Sequence, residues 1–564
     1  MTIAANPLPD SPPPDGPPAG SPQLLLGPAL RHVGQDDATV WVETDRPCVV
    51  EILGHQEATW CVAGHHYALV VLSGLPAGQS LDYDVRLDGQ VAWPSIDDPR
   101  PRPRIRTLDT GAPIRITFGS CRYATSAAVA DDDHFEPDAL MVLARQLAGQ
   151  DEADWPHALL MLGDQVYADE TSEATQQRIR QRRDITVGSR EQVADYEEYT
   201  WLYDESWKDP DVRWLMSVLP SSMIFDDHDI CDDWNTSRAW REDMAATDWW
   251  GERIIGGLSS YWVYQHLGNL SPAGLAADEL YQQVRGYGRD VEPLLRSFAE
   301  HADAEADGAK GTRWSYRRDF GPIRLLMIDS RCGRILDGDR SMIGKDELAW
   351  ISEQAEGNYD HLLIGTSLPW LLARALHDIE SWNEALAGGA RGARVARWSE
   401  SLRRAADLEH WAAFHTSFQK LAELIREVAE GKRGERAPAT VCVLSGDVHH
   451  AYVARASYDE PVSAQVYQLT CSPLHNYVPT AMKVAFRLAW SRLAERTTRS
   501  LLSVLTKVPR TELNWTRQAG PYFGNELMTF TAAGRLALVE LAKTRSGETE
   551  SALHVVQRVA LSSG

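Results

Sequence analysis

The sequence predicts a layered α/β domain preceded by a small β-sandwich, and three observations carry that prediction. From Ala112 onward, short apolar runs alternate with longer stretches of helical periodicity. Four of those runs end at Gly, Asp, His or Cys, the residues found where ligands meet the carboxyl ends of an α/β sheet. Before them, Gln23–Leu108 carries several short β-rich runs broken by Gly and Pro. With 564 residues, 43% of them hydrophobic, the chain can hold one large domain and a satellite.

In chain order, residues 1–23 hold eight prolines, no early basic residue and no apolar core of signal-peptide length. They read as a disordered tail, and the chain is expected in the cytoplasm. In residues 24–108, Ala38–Glu43, Val49–Leu53, His66–Ser73 and Leu81–Leu87 are rich in β-formers and predict a sandwich of fibronectin or immunoglobulin type. Asp97–Arg106, rich in Pro and Arg, reads as a linker.

Residues 109–564 form the larger domain, with helical insertions expected near 236–320 and 371–435. Met244–Leu267 carries Trp249, Trp250, Tyr261, Trp262 and Tyr264. Ser401–Glu430 places Leu408, Trp411, Phe414, Phe418, Leu421 and Ile425 at helical spacing, and Ala481–Val508 is amphipathic and basic. These read as core-facing or lid helices, with a membrane-surface or partner role for Ala481–Val508 as the alternative. Glu526–Leu561 reads as three strands (Met528–Thr531, Ala537–Ala542, Ser551–Ala560) that close a sheet.

A net charge of −24 with no evident basic face argues against a nucleic-acid partner. An anionic substrate would need local positive charge from metal ions and a few arginines. The seven cysteines are scattered and form no CxxC pair, which argues against a Cys-rich zinc site or a redox dithiol, and their odd number suggests no disulfide framework beyond a single bridge. No run of some eighteen apolar residues predicts a membrane span. Oligomeric state is not readable from the sequence.

The strand ends carry the chemistry. Ile114–Phe118 runs into Gly119, Ser120 and Cys121, with Ile114, Ile116 and Phe118 alternating as in a half-buried strand. Ala158–Leu162 ends at Gly163 and Asp164, with Tyr167 three positions on. A carboxylate after a buried strand and a glycine can approach and bridge metal ions, or cap structure. Tyr167 suits ferric iron and is otherwise a buried tyrosine; Cys121 is a soft ligand, a nucleophile or an inert buried thiol. Met223–Phe225 ends at Asp226, Asp227, His228 and Asp229, where three carboxylates in four positions would repel one another without a cation or a proton-transfer task. Val441–Leu444 ends at Ser445–His450, where Asp447 and His449 project to the same side of an extended segment. Hard oxygen ligands beside a mixed set suggest two metals.

GSCRY (119–123), GDQVY (163–167), DDHD (226–229) and SGDVHH (445–450), in this order, resemble the PhoD-like alkaline phosphatase/phosphodiesterase family of the metallophosphoesterase superfamily. IDSR (328–331) followed by GKDELAWI (344–351) is similar to a secondary motif of that family. The resemblance spans residues 24–560, apart from the helical segments between motifs. It implies a metallophosphoesterase-type β-sheet sandwich flanked by helices. It also implies that Cys121, Asp164, Tyr167 and His449 hold a ferric ion. Asp164 as bridge, with Asp227 and Asp447, would hold a second ion, calcium in characterised relatives, with Mn2+, Mg2+ and Zn2+ as alternatives. His228 falls where the superfamily places the histidine that contacts phosphate and protonates the leaving alkoxide. Arg122 and Arg331 are candidate phosphate clamps, with surface salt bridges as the alternative. Departures from the wider superfamily are Cys121 and Tyr123 in place of Asp-x-His, and Gly365, Thr366 and Ser367 where another metal histidine usually follows a central strand.

The expected function is hydrolysis of a phosphoester, mono- or diester, by a metal-activated water. The rivals are a metal-retaining but silent binding module and a cysteine hydrolase pairing Cys121 with His449 or His450.

Overall fold

The computed structural model describes residues 20–123, 135–308, 310–338, 340–505, 511–545 and 551–563; of the expected tail, residues 1–19 lie outside the described residues. The first ten strands are β1 (Leu24–Val33), β2 (Asp37–Thr44), β3 (Val49–Ile52), β4 (His55–Ala58), β5 (Trp60–Val62), β6 (His65–Ser73), β7 (Ser80–Asp82), β8 (Val85–Leu87), β9 (Gln90–Trp93) and β10 (Arg104–Arg106). Sheets β1-β2-β6-β5 and β4-β3-β8-β9, with the pair β10-β7, share an apolar core that includes Leu30, Val40, Val50, Val70, Val85 and Ile105. The expected strand Leu81–Leu87 breaks at Tyr83 and Asp84. The break lets the buried Tyr83 donate its hydroxyl to Ser217 O in the larger domain, 2.7 Å away. The stretch expected as a linker ends in β10, which pairs with β7.

The larger domain adds β11 (Ile114–Gly119), β12 (Ala158–Leu162), β13 (Ser221–Ile224), β14 (Tyr316–Phe320), β15 (Ile323–Met327), β16 (His361–Gly365) and β17 (Thr440–Ser445). They are followed by β18 (Ala451–Tyr458), β19 (Gln465–Thr470), β20 (Leu513–Tyr522), β21 (Glu526–Ala533), β22 (Leu536–Arg545) and β23 (Ala552–Ser563). One sheet has the order β13-β12-β11-β21-β22-β23 and the other β14-β15-β16-β17-β19-β18-β20. Ile116, Phe118, Leu160 and Leu162 of the first meet Leu325, Leu363, Leu444 and Val453 of the second in one core, so the sheets pack face to face. Helices Ala139–Ala148, Tyr196–Trp207, Pro210–Val218 and Trp250–Tyr261 cover the six-stranded sheet. Lys345–Gln354 and His415–Glu430 cover the seven-stranded one. Fully covered parallel strands read as continuous apolar runs, which is why β12 and β17 were legible. The alternation expected in β11 survives only at Arg115, because Thr117 is buried and bonded to Thr529 across the β11–β21 pair.

The helical insertions differ in detail from expectation. The first ends before β14, since Tyr316–Phe320 is a strand. In the second, the periodic stretch Ser401–Glu430 is not one helix. Helix Ala393–Ala405 stops, residues 406–414 form an irregular crossing, and His415–Glu430 resumes. Leu408, Trp411 and Phe414 are buried from that crossing, so their spacing reflects core contact without a helix beneath it. Ala481–Val508 likewise divides into helices Thr480–Ala489 and Arg492–Leu505. Among the described residues, no helix is long and apolar enough to cross a membrane. All seven cysteines are free.

The N-terminal sandwich is docked by a buried cation. Arg31 on β1 is fully buried, and its guanidinium donates to Ser221 O (3.2 Å), Tyr264 O (2.5 Å) and Gln265 O (2.7 Å) of the larger domain.

Candidate metal centre

The carboxyl ends of β11, β12, β13 and β17 converge between the two sheets. Cys121 N donates to Gly163 O (3.1 Å) and Arg122 N to Asp164 O (2.9 Å), which ties the β11 loop to the β12 loop. Asp447 N donates to Ser120 Oγ at 3.2 Å, which brings in the β17 loop. Two glycines permit the approach. A Cβ on Gly446 would lie 1.9 Å from Ser120 Oγ, and one on Gly163, at φ +108°, would lie 2.7 Å from Asp226 Cβ. Cys121, Asp164, Asp447 and His449 adopt left-handed backbone, with φ of 56°, 53°, 67° and 48°. Each such residue costs about 1–2 kcal/mol, strain that gathers where a structure serves a site.

Cys121 Sγ lies 3.3 Å and Tyr167 OH 3.5 Å from one oxygen of Asp164, Oδ2. The other oxygen, Asp164 Oδ1, is buried with no hydrogen-bond partner, as is Asp226 Oδ2. Carboxylate oxygens of Asp164, Asp226 and Asp227 all lie within 4.8 Å of one another, and all three residues are buried. Burial, compounded by the neighbouring acids, pushes the Asp164 and Asp226 carboxyls well above their usual range. Burial likewise raises the Cys121 thiol and the Tyr167 phenol, and the charge of Asp164 adds to both. His449 is held neutral, its pKa lowered to about 4 by burial. Orphaned carboxylate oxygens, a neutral imidazole and a thiol and phenol that only a cation would ionise make a donor set that fits metal ions.

His228 stacks on Tyr167 with ring centres 4.5 Å apart, and its Nδ1 faces Asp169 at 3.0 Å. Burial alone would depress the imidazolium. Asp169, Asp227 and Asp164 outweigh it and hold the pKa well above the usual value. Asp229, in the same acidic run, supports the site from behind. Its Oδ2 accepts from Asp164 N and Asp226 N, both at 2.9 Å, and its Oδ1 accepts from Gln265 Nε2 at 3.1 Å.

The two arginines expected to clamp phosphate are committed to protein groups. Arg122, 2% exposed, donates from Nε to Asp138 (2.8 Å) and from Nη1 to Ser206 O and Oγ (2.8 and 2.7 Å). Arg331, fully buried, pairs with Asp226, with Asp227 at 3.2 Å and with Glu409 at 2.6 Å. Neither is the exposed salt bridge weighed as the alternative. A buried guanidinium held in this way sets the positions of its protein partners, while Nη2 of each arginine makes no hydrogen bond.

Sequence reasoning missed several supporting residues. Asp169, two residues beyond Tyr167, had no pattern to mark it. Asn476 donates to Tyr167 OH at 3.0 Å. His410, in the irregular crossing 406–414, reaches Asp447 Oδ2 through Nε2 at 2.8 Å and Glu380 through Nδ1 at 2.7 Å. Burial would raise the Asp447 carboxyl, but His410 reverses this and holds its pKa at about 2. Cys121 is near neither His449 nor His450 by hydrogen bond; its partners are Ser120, Asp164 and Asp447 O. Together with the raised thiol pKa, this removes the basis for a cysteine nucleophile. A cleft of about 480 Å³ opens over the centre, lined by Asp164, Asp227, His228, Asp447 and His449 together with the apolar Leu372, Leu376, Leu408, Met482 and Phe486.

Facing sheets with a buried acidic centre where their strand ends meet form a candidate site for metal-assisted hydrolysis. Residues 133–504, well over half of the chain, match the family model of the PhoD-like phosphatases, and the chain belongs to that family. That match takes in all the expected metal ligands except Cys121. Residues 21–105 match a domain of unknown function, DUF7800. Among solved structures, one titled "Structure of PhoD" superposes with a TM-score of 0.57 at 10% identity, covering 97% of this chain and 92% of that one. A purple acid phosphatase, PPD1, from yellow lupin (Lupinus luteus) seeds gives a TM-score of 0.46 at 11% identity, covering 96% and 74%. No curated protein matches the chain by sequence.

Proposed function

We propose that the chain hydrolyses phosphoric esters at two metal ions. A ferric ion would be held by Cys121, Asp164, Tyr167 and His449, and a hard divalent ion, calcium foremost, by Asp164, Asp227 and Asp447. The observation that carries this reading is the meeting of Cys121 Sγ and Tyr167 OH on one oxygen of Asp164 whose other oxygen is orphaned. The metal ions would supply Lewis acidity toward the phosphoryl oxygens and activation of a water nucleophile near neutral pH.

The chain's own residues do the rest. Asp169 occupies His228 Nδ1, so Nε2 is the atom left to pass a proton to the departing alkoxide as the ester P–O bond breaks. Asn476 holds the Tyr167 oxygen, His410 and Glu380 hold Asp447, and Arg331 holds Asp226 and Asp227. No lysine or arginine stands among the described residues that line the cleft, so the substrate's charge is left to the metals and to His228. That favours a singly charged diester over a doubly charged monoester, and the apolar lining suits an organic substituent. A silent metal-binding module would have no use for His228 poised by Asp169.

The test is elemental analysis of protein purified without chelators, followed by hydrolysis of matched mono- and diesters. About one equivalent of iron with calcium, and faster diester turnover, is expected. Two zinc ions would overturn the ferric assignment, and no turnover of either ester by metal-loaded protein would return the reading to a binding module.

A further inference from the structure

We propose that the helices Thr480–Ala489 and Arg492–Leu505 form a docking face for an anionic lipid bilayer beside the mouth of the cleft. Thirteen large apolar side chains are exposed among the described residues. Five of them, Met482, Val484, Leu488, Leu493 and Leu501, fall within this helical pair, a concentration that scatter does not produce. At 100° per residue, Val484 and Leu488 share a face with Ala481 and Ala485. Leu493 and Leu501 lie on one stripe of the second helix. The first helix buries none of its residues completely. It rests on the body through Phe486, stacked 4.5 Å from the ring of His450, and through Trp490 just past its end, 4.8 Å from Tyr452.

The charge on this face is opposite to that of the chain. Lys483, Arg487, Arg492 and Arg496 accompany the apolar stripes in a protein of net charge −24. The single acid of the pair, Glu495, lies 3.8 Å from Arg374, and Arg499 turns to Asp378 at 3.4 Å. Charges separated by more than about 8 Å are largely screened at physiological salt, so a surface meeting these helices senses their basic residues and not the acids of the remote body. Apolar stripes flanked by Lys and Arg are the pattern of helices that lie in a headgroup layer. Val484, Leu488, Leu493 and Leu501 are 49%, 60%, 74% and 70% exposed. Side chains raised that far do not line a groove, which a docked peptide helix would need. Met482 and Phe486 also line the catalytic cleft, so docking would bring the mouth of the cleft to the bilayer surface.

The test reads binding and so stands apart from the hydrolytic reading. The full chain is sedimented with vesicles of phosphatidylcholine alone and with vesicles containing phosphatidylglycerol. The variants are Leu493→Asp/Leu501→Asp and, separately, Arg492→Glu/Arg496→Glu, all outside the cleft lining. Binding to the phosphatidylglycerol vesicles only, weakened by salt and reduced roughly tenfold in each variant, supports the proposal. Unchanged circular dichroism and unchanged hydrolysis of a water-soluble ester would show that the fold and the site are intact. Equal binding to both vesicles, absence of binding, or variants that bind as the parent does would each overturn it. So would a dimer in solution that the leucine variant dissociates without any vesicle binding, which would make the face a contact between copies.

Discussion

Asp164 and His228 are asked to do separable things, and substitution distinguishes them. Asp164 is the one side chain shared by both proposed ion sites, so Asp164→Asn should lose bound metal and nearly all turnover while circular dichroism is unchanged. Elemental analysis and a rate assay check this together. His228→Gln should keep its metal but lose about 10²–10⁴ in kcat, the usual range for a missing general acid. The loss should be larger for an alkyl ester, whose leaving group needs the proton, than for a nitrophenyl ester, which does not. An equal loss on both substrates would show that His228 acts on binding and not on proton delivery. Tyr167→Phe reports on the ferric assignment directly, because a phenolate–iron charge-transfer band in the visible spectrum would disappear with the hydroxyl.

At the scale of elements, the irregular crossing 406–414 carries Glu409 to Arg331 and His410 to Asp447. His410→Ala should therefore weaken metal retention by about 10–100-fold, as loss of a ligand's supporting partner does, measured by competition with a chelator. The sequence hid this because Leu408, Trp411 and Phe414 keep an apolar spacing through the break. Periodicity reports which residues face a core, and a buried non-helical segment can satisfy it as well as a helix. The four strand ends were legible for the opposite reason. Parallel strands covered on both faces favour apolar runs, so the polar cluster that follows such a run marks the end.

At the scale of the molecule, the N-terminal sandwich and the larger domain are joined by polar ties that burial makes strong. Arg31→Ala would leave three buried carbonyls without their donor and should cost about 3–5 kcal/mol in urea denaturation. His65 on β6 lies 3.1 Å from Glu43 and 2.9 Å from Glu197 of the larger domain. Burial works against its charge, but the two carboxylates prevail and raise its pKa from 6.5 to about 9. Glu43 is itself pushed up by burial, whereas Glu197 is lowered by its hydrogen bond to His65. A folded-state pKa above the unfolded one means that this stabilisation is fully present below pH 6.5 and lost as pH rises through about 9. The melting temperature should fall over that window, and His65→Gln should flatten the fall.

The sequence by itself determined the layered α/β class, the sandwich before it and the strand-end clusters that hold Cys121, Asp164, Asp227, His228, Asp447 and His449. Those features are local: a buried strand and the turn that follows it write their constraints into adjacent residues. Only the tertiary structure decided that Arg122 and Arg331 serve protein carboxylates, that Asp169 orients His228, and that His410 reaches Asp447 from a distant insertion. Whether a charged side chain faces substrate or its own fold depends on which groups lie within about 3 Å of it. Chain neighbours separated by dozens of residues set that distance, and their spacing leaves no periodic trace in the sequence.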